Sequence, residues 1–270
     1  MTRVAAVVVA FAVLPASLSS AAPARTIVQP GPRTAVAVYL VRGEHVIPVR
    51  RLVPHTVAPA RAAASSLLLG PTASERASGY SSQIPVRTAL RGISIARGVA
   101  TVDLSRSFES GGGSLSMGLR VAQVVYTLTQ FPAVGRVAFR LDGRPVGSIG
   151  GEGVVVSPPV GRAAFEAQTP PILVEQPLPG DSVRTPVLVR GTANVFEARL
   201  VVDLVTSSGA LLARRNVLAT AGTGTRGSFS VRIALRAPAG HFVIVAYAHS
   251  PKNGARIDVV RIPVAITHTG

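Results

Sequence analysis

The sequence predicts two folded units in tandem: an α+β domain of order β-β-α-β-β-α-β, with its helices on one face of a sheet, then an all-β sandwich. Three observations carry this. Residues 34–150 alternate strand-like runs with Ala- and Leu-rich stretches that hold helix start and stop signals. From residue 172 onward nothing has helical periodicity, and seven short strand-like runs are separated by Gly, Pro or Asn turns over roughly a hundred residues. With 270 residues, 47% hydrophobic and 15% charged, the chain has a globular composition and room for two cores.

The elements follow in order. "TAVAVYLV" (34–41) and "HVIPVRRLV" (45–53) are strand runs parted by "RGE", a hairpin-length gap. "VAPARAAASSLLLGP" predicts a helix with Pro59 near its first position and Gly70-Pro71 as its stop. Thr72 and Glu75 have capping-box spacing, which predicts a short second helix. "ALRGISIARGVATVDLS" (89–105) divides at Arg97-Gly98 into a hairpin, and "GRVAFRLDGRPVG" turns at Asp142-Gly143. Pro158-Pro159 and Pro170-Pro171 bracket a linker. The sandwich strands are "ILVEQP", "PVLVRGTA", "EARLVVDLVT", "ALLARRNVLAT", "GSFSVRIALR", "FVIVAYAHS" and "RIDVVRIPVAI".

Between the two hairpins of the first unit lies "SGGGSLSMGLRVAQVVYTLTQFP" (110–132). A phosphate loop needs a Lys after its glycines, and the only lysine, Lys252, is in the other unit. A dinucleotide turn needs G-x-G-x-x-G directly after a strand, and here "SRSFES" intervenes. Met117, Val121, Val124, Val125 and Leu128 form one apolar helical stripe, with Ser114 or Ser116 as cap and Phe131-Pro132 as stop. The glycines then read as a hinge that lets the chain swing from strand to helix.

Basic residues outnumber acidic ones 28 to 12, for a net charge of +16. The arginines are scattered and never form a run of five, with no interleaved aromatics, so anionic wall polymers or lipid head groups fit better than nucleic acid. No cysteine is present, which excludes disulfides, thiolate chemistry and Cys-type zinc sites. Residues 1–24 read as a secretory signal: Arg3, an apolar run Val4–Leu14, then A-x-A at Ala22–Ala24. Ala21 and Ala22 are other cleavage points, and an uncleaved anchor is the alternative. No later segment is apolar enough to span a membrane, so the mature body is expected outside the cytoplasm. The histidines 45, 55, 241, 249 and 268 make no zinc motif, and no G-x-S-x-G is present. No cofactor and no metal are expected. Asp103, Asp142, Asp203 and Asp258 fall at strand ends or edges and are expected to face water; Glu152 and Glu166 are the carboxylates open to a hydrolytic role.

The combination "GPT-x-x-E", "A-T-V-D-L-S" and "V-V-Y-T-L-T-Q-F", within residues 35–150, resembles the GerMN sporulation and spore-germination domain. "ILVEQPLPGDSVRTPVLVRGTANVFEARLVVDL", "ATAGTGTRGSFSV" and "IDVVRIPV", over about 170–266, look like the immunoglobulin-like domain of bacterial spore germination. The resemblance implies an extracytoplasmic, non-catalytic architecture and brings no catalytic residues. Members are often lipid-anchored through a cysteine, and "SLSSAAPA" has none. The resulting division is signal 1–24, spacer 25–33, GerMN-like α+β domain 34–157, linker 158–171 and immunoglobulin-like β-sandwich 172–268. The expected function is a secreted, non-catalytic envelope protein that docks envelope proteins or an anionic cell-wall polymer, with self-association through the α+β domain. A peptidoglycan hydrolase or its accessory subunit, and a structural spacer, are the alternatives. Candidate contacts are Asn194 and Glu197 in "GTANVFEA" and Arg226 in "GTGTRGSF". The other use of Asn194 is a positive-φ turn, and that of Arg226 a solvated hairpin position.

Overall fold

The computed structural model describes residues 31–150, 153–234 and 238–267, together with Thr2. The expected signal segment, Thr2 apart, and residues 25–30 of the expected spacer lie outside the described residues.

Strands β1 (Arg33–Arg42) and β2 (His45–Pro54) pair antiparallel in one continuous register, turning at Gly43 with φ +62°. Helix α1 (Pro59–Leu68) starts on the expected proline and buries Ala60, Ala63, Ala64 and Leu67, the three small alanines letting it lie close on the hairpin. In α2 (Ala73–Ala77) the capping box forms as its spacing predicts: Thr72 N donates to Glu75 Oε2 (2.7 Å) and Glu75 N to Thr72 Oγ1 (3.3 Å). Strands β3 (Leu90–Ala96) and β4 (Val99–Leu104) meet at Arg97 and Gly98, both left-handed (φ 49° and 77°). Helix α3 (Ser114–Leu128) then crosses to β5 (Arg136–Leu141), which lies parallel to β4 and turns at Asp142-Gly143 into β6 (Arg144–Pro145). The two-residue strands β7 (Ser148–Ile149) and β8 (Val154–Val155) close the unit.

This is the α+β domain that the element order predicts, but its strands form separate ladders: β1-β2 on one side, β3-β4-β5-β6 on the other. The reason is α3. Gln123 and Thr127, four residues apart, share one face of α3, and Gln130 continues it in the turn just past the helix end. That face takes the place of a neighbouring strand along β1. Tyr39 N donates to Thr127 Oγ1 (3.0 Å) and Ala37 N to Gln130 Oε1 (2.8 Å). Gln123 and Gln130 return amide donors to the carbonyls of Tyr39 (3.0 Å) and Ala37 (2.6 Å). A buried sheet edge is thereby satisfied by a helix.

The glycine-rich loop is similarly fixed. Gly111 and Gly112 have φ of 64° and 90°, and their turn wraps the buried guanidinium of Arg120. Arg120 donates to the carbonyls of Gln83 (2.8 Å), Phe108 (2.6 Å), Ser110 (3.2 Å) and Gly111 (2.9 Å). The expected hinge is therefore a locked turn, and Gly113, not a serine, occupies the N-cap position. A phosphate cradle presents N–H groups; here carbonyl oxygens close on the protein's own cation.

The second unit contains all seven anticipated strands and one more. They are β9 (Ile172–Gln176), β10 (Asp181–Arg184), β11 (Val187–Ala193), β12 (Arg199–Thr206), β13 (Leu211–Leu218), β14 (Gly227–Ile233), β15 (Gly240–His249) and β16 (Arg256–Thr267). A five-stranded sheet, β10-β16-β15-β12-β13, packs on a three-stranded one, β14-β11-β9. Alternate residues such as Val187, Val189, Leu200, Val202, Leu204, Ile244, Ile262 and Val264 fill the space between. The unanticipated β10, "DSVR", is too polar and short to signal a strand; it pairs parallel to β16.

On the outer face of the five-stranded sheet, Asp203 corrects its expected exposure. It is 1% exposed among Val201, Val205, Val245 and Tyr247. Arg214 donates to both of its oxygens (2.7 and 2.8 Å), and Tyr247 Oη to one (3.2 Å). Burial opposes its ionisation, but these donors outweigh burial and hold its carboxyl below the usual range.

Candidate functional site

Residues Pro32–Gly270 cluster as one body, and the chemistry-bearing side chains gather where its α+β and sandwich parts meet. The segment read as a linker is built into this seam. Residues Arg162–Gln168 form a 3-10 helix whose Phe165 is buried in the first core, while Leu173 of β9 enters that same core from the sandwich side.

Two polar clusters hold the seam. In the first, Glu166 receives a bidentate pair from Arg226, Nε to Oε2 at 2.7 Å and Nη2 to Oε1 at 3.0 Å. Asn194 Nδ2 adds a bond at 2.9 Å, and its Oδ1 accepts Gly224 N at 2.9 Å. Arg226 also donates to Pro170 O (2.8 Å) and Thr192 Oγ1 (3.3 Å), so its side chain is only 14% exposed. Burial raises the Glu166 carboxyl, but Arg226 and Asn194 overcome that and hold it lowered.

In the second cluster, Glu175 of β9 accepts Tyr39 Oη at 2.7 Å and is paired with Arg162. The Arg162 guanidinium stands over the rings of Tyr126 (4.7 Å) and Tyr39 (5.6 Å) and donates to Thr129 Oγ1 (2.7 Å). Burial, reinforced by Glu175, pushes the Tyr39 hydroxyl well above its ordinary value, so it stays a neutral donor. Arg50 of β2 bridges to Asp181 of β10 at 3.0 Å. Beside these pairs a cleft of about 890 Å³ opens, with Arg190, Ser228 and Ser230 of the three-stranded sheet among its lining residues.

The three residues anticipated as ligand contacts are thus placed differently from one another. Asn194 and Arg226 come together, but on Glu166, and their polar atoms are engaged internally. The left-handed backbone expected at Asn194 occurs instead at Glu197 and Ala198 (φ 51° and 57°). The Glu197 side chain is exposed and pairs with Arg199 at 3.2 Å, a contact worth little in water. Glu166, one of the two carboxylates open to hydrolysis, is ionised and saturated by donors, the opposite of a general acid; Glu152 lies outside the described residues. His241 and His249 are both exposed on β15. Among the described residues no three His, Cys, Asp or Glu side chains are disposed to hold a metal ion. No helix among them is long and apolar enough to cross a membrane.

Sequence reasoning missed Tyr39, Arg162 and Glu175. A signal existed for one of them: in "PPVGRAAFEAQTPP", Arg162 and Glu166 flank Phe165 at a spacing too regular for a loose linker. Replacing Glu166 with Gln removes one charge of the clamp. Its carboxylate, lowered in the folded state, stabilises above the ordinary Glu range of about 4.3 and loses that contribution as pH falls through the folded value. Thermal melts of E166Q are expected to be lower than wild type at neutral pH and to converge with it in acid. Parallel melting curves at all pH values would contradict this.

Residues 37–147 match the family described as sporulation and spore germination, and residues 171–255 the immunoglobulin-like domain of bacterial spore germination. No curated protein matches the chain. Among solved structures it is similar to the first GerMN domain of the sporulation protein GerM from Bacillus subtilis: 22% identity, 48% of this chain, 98% of that chain and a TM-score of 0.42. The tandem GerMN domains of that protein align at 17% identity over 75% of this chain and 62% of theirs, with a TM-score of 0.43. A chain described as a lipoprotein from Clostridium perfringens aligns at 18% identity over 51% of this chain and 93% of that one, with a TM-score of 0.38.

Proposed function

We propose, from the pairing of a match to the sporulation and spore germination family with a match to the immunoglobulin-like domain of bacterial spore germination, that this chain is a non-catalytic docking protein of the cell envelope. It acts outside the cytoplasm as one two-part body and binds an anionic wall polymer or an envelope protein carrying acidic surface.

The observation that carries this reading is the disposition of charge. Five of the twelve acidic side chains are consumed in internal pairs: Glu75 with Arg51, Glu166 with Arg226, Glu175 with Arg162, Asp181 with Arg50, Asp203 with Arg214. The surplus behind the net charge of +16 is left to outward-facing arginines, including Arg190, Arg215 and Arg232 on the sandwich and Arg136 and Arg140 on the α+β sheet. Such a surface attracts polyanions over a Debye length and loses them to salt.

The test is co-sedimentation of the purified chain with isolated cell wall across a salt series, together with crosslinking in cells. Binding that weakens steeply with salt, without release of muropeptides, is the expected outcome. Salt-insensitive pelleting sinks the electrostatic mechanism, and muropeptide release sinks the non-catalytic reading. Failure to pellet or to crosslink any neighbour favours a structural spacer.

A further inference from the structure

Most carboxylates of this protein have a partner; Asp258 does not. Among the described residues its carboxylate has no hydrogen-bond or ion-pair partner, although it is half-buried in a chain with 28 basic residues against 12 acidic ones. Its backbone is also unusual. The β15–β16 register slips between Ala246 and Ala248, and Asp258 occupies the resulting bulge with φ +55°, a left-handed conformation that side-chain-bearing residues seldom adopt. Bulges of this kind re-aim a side chain, and this one places Asp258 on the wall of a second seam cavity of about 280 Å³. Burial without a compensating donor pushes its carboxyl above the usual range.

The rest of the cavity complements that group. The α+β part supplies Arg42, whose guanidinium lies 5.5 Å over the Tyr80 ring and has no carboxylate partner. Arg261 of β16 is a second cation on the wall, not ion-paired with Asp258, and the rest of the lining is largely aliphatic, with Ile47, Pro48 and Val259 among its residues. The volume is below that of a drug-sized site, which sets the scale of an occupant.

We propose that this cavity binds a small aliphatic zwitterion of the amino-acid class, its ammonium on Asp258, its carboxylate on Arg42, and its side chain against Ile47, Pro48 and Val259. An occupant of this kind would supply the counter-charge that each of the two groups lacks, and it would bridge the two parts of the chain. The inference is independent of polyanion docking, which uses the outer arginines.

Titration calorimetry of the full chain with L-leucine, isopentylamine and isovalerate tests it. The expected result is saturable binding of leucine, with isopentylamine and isovalerate each at least about tenfold weaker, a difference of about 1.4 kcal/mol. Asp258→Asn keeps the bulge, because Asn tolerates the left-handed region. It is expected to abolish the binding of leucine and of the amine while leaving the circular dichroism spectrum unchanged. Arg42→Gln is expected to reduce leucine to the affinity of isopentylamine. The proposal is overturned if the wild type binds none of the three saturably, if the amine alone binds as tightly as leucine, or if a folded D258N variant binds leucine undiminished. A calorimetric signal from free leucine added to peptide-competed protein distinguishes a free amino acid from a peptide N-terminus: competition by Leu-Gly that exceeds that of leucine assigns the site to peptide ends and overturns the free-amino-acid form.

Discussion

Replacing Arg120 with methionine is expected to lower the stability of the protein by about 3–5 kcal/mol, making it one of the most damaging single changes in the α+β part. The methionine can occupy the same volume, so the loss comes from hydrogen bonds and not from a cavity. Four carbonyl oxygens, those of Gln83, Phe108, Ser110 and Gly111, face the guanidinium. Each one left unsatisfied away from water costs about 1–3 kcal/mol, and those nearest the surface recover part of that from solvent. Lysine should rescue little, because a single ammonium cannot reach all four carbonyl acceptors, which are spread around a planar fork. Thermal denaturation reads the effect directly, as a drop on the order of 10 °C. An R120M variant within a degree or two of wild type would show that the loop's conformation owes nothing to this residue.

The same residue illustrates what was legible in the sequence and what was not. Elements whose signals are local were readable: the Thr72/Glu75 box, the Arg97-Gly98 and Asp142-Gly143 turns, and the seven alternating strands of the sandwich. The apolar stripe of α3 was also readable, since periodicity reports burial. It reports only apolar burial, however. Gln123 and Thr127 are fully buried on α3, yet they look like the solvent face of an amphipathic helix until the edge of β1 is laid against them. Arg120 sits on the same helix with the same ambiguity.

The candidate contacts failed to be legible for a related reason. Asn194, Arg226 and Glu166 are each plausible ligand groups when considered singly. Their meaning changes once the chain brings Glu166 from one side of a proline pair to meet the other two. Pairing across 28 and 60 residues leaves no periodic trace. The unpaired Asp258 was hidden in the opposite way. A strand-edge aspartate ordinarily faces water, and only the register slip shows that this one is turned toward a cavity.

The second large effect is expected at Gly191, where β11 passes so close to β9 that no side chain fits. A Cβ there would stand 2.0 Å from the carbonyl oxygen of Leu173 and 3.0 Å from Val174 Cα. Both are backbone atoms, so no rotamer change can relieve the contact, and a separation of about 3.5 Å requires the strand itself to move. The residues of β9 connect both parts of the molecule: Ile172 and Val174 belong to the sandwich core, Leu173 to the α+β core, and Glu175 to the Arg162–Tyr39 cluster. Displacing that strand therefore loosens three sets of contacts at once. Gly191→Ala is expected to cost about 3 kcal/mol or more and to split a single calorimetric unfolding transition into two, as the domains lose their common strand. Gly43→Ala provides the control. Gly43 has φ +62° and nothing within 4 Å of a would-be Cβ, so it carries backbone strain alone, about 1–2 kcal/mol, and should leave the transition single. If both variants melt alike in one step, steric closure at β9 is not what couples the two parts.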